Sequence, residues 1–73
     1  MFDWMTLNGS MLTAVSDAGN VYYIVPINEQ RPDGPWSCSG LMIDGTDYAP
    51  RKCPSRRMAE SYAEELEIQS FDI

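Results

Sequence analysis

SRRMAESYAEELEI, residues 55–68, is the stretch that decides the fold. Met58, Ala59, Tyr62, Ala63 and Leu66 recur at three- and four-residue steps, so they share one face of an α-helix. Glu60, Glu64 and Glu67 fall together on another face. Ser55 is placed to cap the helix, because its hydroxyl can accept a hydrogen bond from a first-turn amide. Met58 stands where a capping box would have a glutamate. The spacing predicts a helix over residues 55–68. A helix with one apolar face needs a surface to lie on, and the residues before it supply strands.

Working outward toward the N-terminus, Tyr48 to Cys53 reads as a strand with Pro50 marking an edge, and Asp44-Gly45-Thr46-Asp47 as the turn before it. Trp36 to Ile43 reads as a strand with a bulge at Gly40. Asn28 to Pro35 is a polar loop with turn residues at Pro32 and Gly34. VYYIV, residues 21–25, is β-branched or aromatic at every position and is the plainest strand. It does not alternate, so either both of its faces are covered or one of them is a binding surface. Ser16 to Asn20 is a turn by composition. Phe2 to Leu7 and Ser10 to Val15 read as a hairpin closed at Asn8-Gly9, whose residues tolerate positive φ. The expected fold is therefore α+β: a single domain over residues 1–73, with an antiparallel sheet of four to five strands and one C-terminal helix packed on one face. The expected core is Trp4, Leu12, Val21, Tyr23, Val25, Leu41, Ile43, Met58, Ala59, Tyr62 and Leu66. The tail from Ser70 is expected to pack through Phe71 or to fray.

Composition narrows the chemistry. The 73 residues carry 11 acids, five bases and no histidine, for a net charge of −6. Without histidine the commonest general base and metal ligand is missing. No serine has a base in a recognisable arrangement, so no catalytic residue, cofactor site or metal site is assigned and the expectation is a protein that is not an enzyme. The acidic balance opposes generic binding to nucleic acid and to anionic membrane surfaces, both of which require a basic face. The longest apolar run is far short of about 20 residues, and no basic segment leads into a long apolar stretch at the N-terminus. A cytoplasmic protein is expected.

Cys38 and Cys53 are the only cysteines. Their relation depends on register. A two-residue Asp44-Gly45 turn sets Cys38 opposite Arg51 and leaves Cys53 diagonal. A four-residue turn sets the two cysteines opposite each other, the geometry that favours a bridge. Reduced, buried thiols are the expected state.

Charge is distributed unevenly. Residues 1–30 carry a net −3, residues 31–57 a net +2 and residues 58–73 a net −5. The helix is also charged against its own dipole, with Arg56 and Arg57 at its start and Glu64, Glu65 and Glu67 toward its end. Each such charge costs about 0.3–1 kcal/mol at low salt. Stability alone would not choose this pattern, which makes Glu60, Glu64, Glu65 and Glu67 candidate partner-binding residues. Tyr22 joins them as an aromatic anchor outside the core, at an interface that includes self-association to a homodimer. Glu60, Glu64 and Glu67 are about 6 and 4.5 Å apart along a helix axis, within a factor of two of the roughly 3.4 Å between phosphates of a DNA strand. A basic cluster of Arg51, Lys52, Arg56 and Arg57 at the helix start offers a rival, nucleic-acid-binding reading.

The order of a tyrosine-bearing strand (Tyr23), a strand opening on Trp36, and Pro54, Ser55, Ala59, Tyr62 and Ala63 on the helix resembles small β-β-β-α domains over about two thirds of the chain. Double-stranded-RNA-binding domains share part of that order, but this helix departs from theirs in its acidic end. A short, acidic, histidine-free chain with no catalytic motif also resembles, in type rather than in motif, the small inhibitors encoded by phages and mobile elements, including anti-CRISPR and anti-restriction proteins. That resemblance implies DNA mimicry toward a basic, nucleic-acid-binding protein, with no direct nucleic-acid contact. The alternative is a small assembly module.

Overall fold

The computed structural model describes residues 2–71. The chain folds into strands β1 (Met5–Asn8), β2 (Met11–Val15), β3 (Val21–Pro26), β4 (Trp36–Leu41) and β5 (Asp47–Cys53), followed by helix α1 (Arg56–Phe71). The strands form one antiparallel sheet in sequential order. Helix α1 lies on one face, chiefly across β4 and flanked by β3 and β5. This is the expected α+β architecture with all five strands. The helix runs to Phe71, three residues beyond the expected end, while the packing expected of the Phe71 side chain falls outside the described residues. Ser55 caps the helix: the Met58 amide donates to its Oγ at 3.3 Å and the Ala59 amide to its carbonyl at 3.0 Å.

Two hairpins close on the same turn. In Ser16–Asn20 and Met42–Thr46 the first residue's N–H donates to the fifth residue's carbonyl (2.8 Å in both), and the glycine N–H donates back to the first residue's carbonyl (2.9 Å in both). The glycine, Gly19 or Gly45, has φ +93° in each, as a three-residue hairpin with a glycine bulge requires. The first hairpin turns one residue later than expected. Asn8 pairs with Met11, and Gly9 has the only positive φ there, so Gly9-Ser10 forms the loop.

Cys38 pairs with Arg51, Trp36 with Cys53, and Gly40 with Tyr48. The three-residue turn and the extra residue on β5 between Tyr48 and Arg51 offset each other. The bulge expected at Gly40 therefore lies on β5, opposite Ser39, where Pro50 has no amide to pair. Cys38 and Cys53 are diagonal, buried and reduced.

The core lies between α1 and the even-numbered side of β3. It consists of Tyr22, Ile24, Trp36, Cys38, Met42, Cys53, Ala59, Ala63 and Leu66. Ala59, Leu66 and, as packed neighbours, Trp4, Leu12 and Tyr62 stand where expected. The expected phase of β3 and β4 is reversed: Val21, Tyr23 and Val25 are only partly buried and occupy the far side of the sheet, while Leu41, Ile43 and Met58 are exposed. Space explains the choice. Gly40, opposite Tyr22, leaves room for the tyrosine ring: a Cβ there would sit 3.1 Å from Tyr22 Cδ1 and from Met42 Cε. Ala59 and Ala63, both fully buried, let the helix backbone approach the sheet.

Candidate functional site

Helix α1 divides its acidic residues between different surroundings. On one flank, Glu60 and Glu64 line an open cleft of about 360 Å³ together with Phe2, Trp4, Arg57 and Ser61. The segment before β1 builds the opposite wall. The Phe2 ring stacks on Tyr22 (centroids 5.0 Å apart, planes 21° apart), and Trp4 meets Phe2 edge-on at 6.0 Å. Glu60 Oε2 accepts from Arg56 Nε at 2.8 Å, an i,i+4 pair on an exposed surface that contributes a few tenths of a kcal/mol. Glu64 is exposed. With Glu60 paired to Arg56 and Arg57 on the same lining, Glu64 beside the Trp4 indole is the setting for a further cationic side chain, attracted by the carboxylate's charge and the ring's quadrupole.

Glu65 stands apart, in a smaller cleft of about 170 Å³ between β5 and α1 that Arg51, Lys52, Met58 and Tyr62 also line. Glu67, half-buried, turns toward the sheet. Its Oε1 accepts from the Tyr22 hydroxyl at 2.7 Å and from Asn20 Nδ2 at 2.8 Å. Burial opposes its charge, yet the bonds from Asn20, Tyr22 and Ser16 prevail and hold its carboxyl below the usual range. Burial first, then Glu67, pushes the Tyr22 phenol well above its ordinary value.

Tyr22 is therefore no surface anchor. It is 0% exposed, and the even-sided phase of β3 turns it under the helix. The acidic row anticipated along α1 is brought together only at Glu60 and Glu64. The basic cluster is dispersed as well. The Arg51 guanidinium lies 4.9 Å from the Tyr62 ring centroid, Arg56 pairs with Glu60 and lies 5.7 Å from the Trp36 ring, and Arg57 faces the aromatic cleft.

Sequence reading missed Asn20, which looks like an ordinary turn residue. It is 3% exposed and links three elements. Its Oδ1 accepts from the Ile43 amide at 2.9 Å, its own amide donates to Ser16 Oγ at 3.2 Å, and its Nδ2 reaches Glu67. The two glycine turns and the C-terminal half of α1 are thereby joined. The available signal is the repeated turn pattern, Ser16–Asn20 and Met42–Thr46, which places both turns at one end of the sheet.

Among the described residues no three His, Cys, Asp or Glu side chains gather to hold a metal, and no helix is long and apolar enough to cross a membrane. No family model matches the chain, and neither a curated protein nor a solved structure matches it.

Proposed function

We propose that this chain is a non-enzymatic protein-binding inhibitor that acts in the cytoplasm on a basic, nucleic-acid-handling protein. The anti-CRISPR and anti-restriction inhibitors are the type it resembles. The observation that carries the reading is the cleft where Glu60 and Glu64 face Phe2 and Trp4. A lysine or arginine of the partner enters that cleft beside Glu64, and the bound chain occupies ground the partner otherwise offers to phosphates. Glu64 is the principal contact, because Glu60 already holds Arg56 and Glu67 is committed to Tyr22 and Asn20. The N-terminal aromatics extend the site beyond the helix.

The test is affinity capture at low salt from the native host's lysate, followed by titration of the captured protein against the wild type and Glu64→Lys. Attraction between exposed charges is screened by salt. Binding by the wild type is expected to weaken as salt rises, and the variant to bind at least about tenfold more weakly, a loss of about 1.4 kcal/mol. The captured protein's nucleic acid is expected to compete with the wild type. Equal affinity of Glu64→Lys and the wild type would refute the acidic-cleft reading.

A further inference from the structure

An antiparallel sheet with one covered face ordinarily alternates apolar and polar residues, with the polar ones outward. Strand β4 follows that rule, with Ser37 and Ser39 outward, but β3 does not. Strand β3 is apolar on both sides, and α1 covers only one of them. The register places Met5 and Thr13 beside Tyr23, and Val15 beside Val21 and Leu41, on the face away from the helix. Met5 is 67% exposed, Val15 64% and Leu41 45%.

This face also lacks charge. The chain has 16 charged residues, yet within the five strands only Asp47, Arg51 and Lys52 are charged, all on edge strand β5. Arg51 turns toward the helix and lies over Tyr62. Asp47 and Lys52, of opposite sign, remain at one rim of the open face, opposite Leu41 and Ser37.

We propose that this open face is the contact between two copies of the chain, stacked sheet on sheet with the helices outside. Charge selects the occupant. Two chains of net charge −6 repel wherever their acidic surfaces meet, and this neutral face is where they can approach. In the stacked arrangement the two helices are separated by three layers of about 10 Å each, several times the Debye length of about 8 Å at physiological salt. Two identical sheets carry the same twist, which is what aligned packing at about −30° requires. The area is sufficient for a weak dimer. Five strands about 4.8 Å apart and about 17–20 Å long give each face roughly 400–500 Å². Two faces together bury roughly 800–1,000 Å², the range of a weak, transient interface. Area alone does not set affinity, so the association is sought over a wide range of protein concentration.

Sedimentation equilibrium on the intact protein, from a few micromolar to several hundred micromolar, tests the proposal. The mass is expected to rise from 8.2 kDa toward twice that value. Val15→Lys and Leu41→Lys are each expected to raise the dissociation constant at least about tenfold. Met5→Lys, on edge strand β1, supplies a third variant should either of those fail to fold. All three lower the net negative charge, so weaker association cannot come from greater overall repulsion between the chains and reports on the substituted face. Glu64→Lys, on the opposite side of the molecule, is expected to leave association unchanged, which separates this proposal from the acidic-cleft reading. A mass that stays at 8.2 kDa throughout, or lysine variants that associate like the wild type, would overturn it. In the monomeric case the face would be left to a different protein.

Discussion

Replacing Glu67 with alanine tests whether the Tyr22–Glu67–Asn20 network holds the helix to the sheet. The substitution removes an acceptor from two buried donors, the Tyr22 hydroxyl at 2.7 Å and Asn20 Nδ2 at 2.8 Å. The hydroxyl then keeps its bond with Asn20 and a long one to Met42 Sδ at 3.9 Å. A hydrogen bond to a charged group contributes about 1.5–3 kcal/mol. Relief of a carboxylate in the C-terminal half of α1 returns about 0.3–1 kcal/mol. Two such bonds, taken in the lower half of that range because both are partly buried, less that relief, give a net expected loss of about 2–4 kcal/mol, a large fraction of the total for a domain with about 0.05–0.15 kcal/mol of stability per residue. Melting should fall by roughly 8–32 °C, since each kcal/mol moves the midpoint about 4–8 °C in a domain of this size. Urea titration followed by circular dichroism and tryptophan fluorescence measures the loss. Glu67→Gln, which keeps an acceptor, is expected to lose about half as much. Glu64→Ala, on an exposed position, should stay within about 0.5 kcal/mol of the wild type. A double-mutant cycle with Tyr22→Phe should return a coupling of about 0.5–3 kcal/mol. Glu67→Ala within about 0.5 kcal/mol of the wild type, or no weaker than Glu64→Ala, would refute the reasoning.

The same network sets the pH dependence. Glu67 has its folded pKa lowered from 4.5, so its contribution is present above that value and is lost as pH falls through the folded pKa. The melting difference between wild type and Glu67→Gln should therefore narrow below pH 4.5. Tyr22 has its folded pKa raised from 10.0, so its contribution is present below pH 10 and lost as pH rises beyond it. The stability lost on raising the pH above 10 should accordingly be greater in wild type than in Tyr22→Phe, each measured against its own value at pH 7. Burial, followed by Cys53, pushes the Cys38 thiol up to about 12. The native protein should thus react slowly with a thiol reagent at pH 8 and release two equivalents in urea, and two fast equivalents in the native state would contradict this buried, reduced pair.

The acidic cleft was legible only in part. Glu60 and Glu64 share a helix flank by spacing alone, and their place in the site needed no more than that. Phe2 and Trp4 join them because the chain before β1 lies on the helix side and stacks on Tyr22, which no local pattern encodes. Glu67 and Tyr22 were legible as residues but not as partners, since they lie 45 positions apart in the chain. Asn20 has the composition of a turn, and its burial follows from two turns and a helix converging on it.

The elements themselves follow from short-range chemistry. The three- and four-residue apolar steps and the Ser55 cap make α1, the β-branched and aromatic run makes β3, and the glycine turns set the hairpins. Each requires only neighbours within a few residues. The tertiary structure decided which side of β3 is inside. Val21-Tyr-Tyr-Ile-Val25 is apolar at every position, so its period of two has no phase until something breaks the symmetry. What breaks it is space and a hydrogen bond. Gly40 admits the Tyr22 ring, Ala59 and Ala63 let α1 approach, and Glu67 receives the hydroxyl. That choice buries the tyrosine read as a surface anchor, withdraws one glutamate from the acidic row and leaves open, on the other side, a sheet face charged only at its β5 rim.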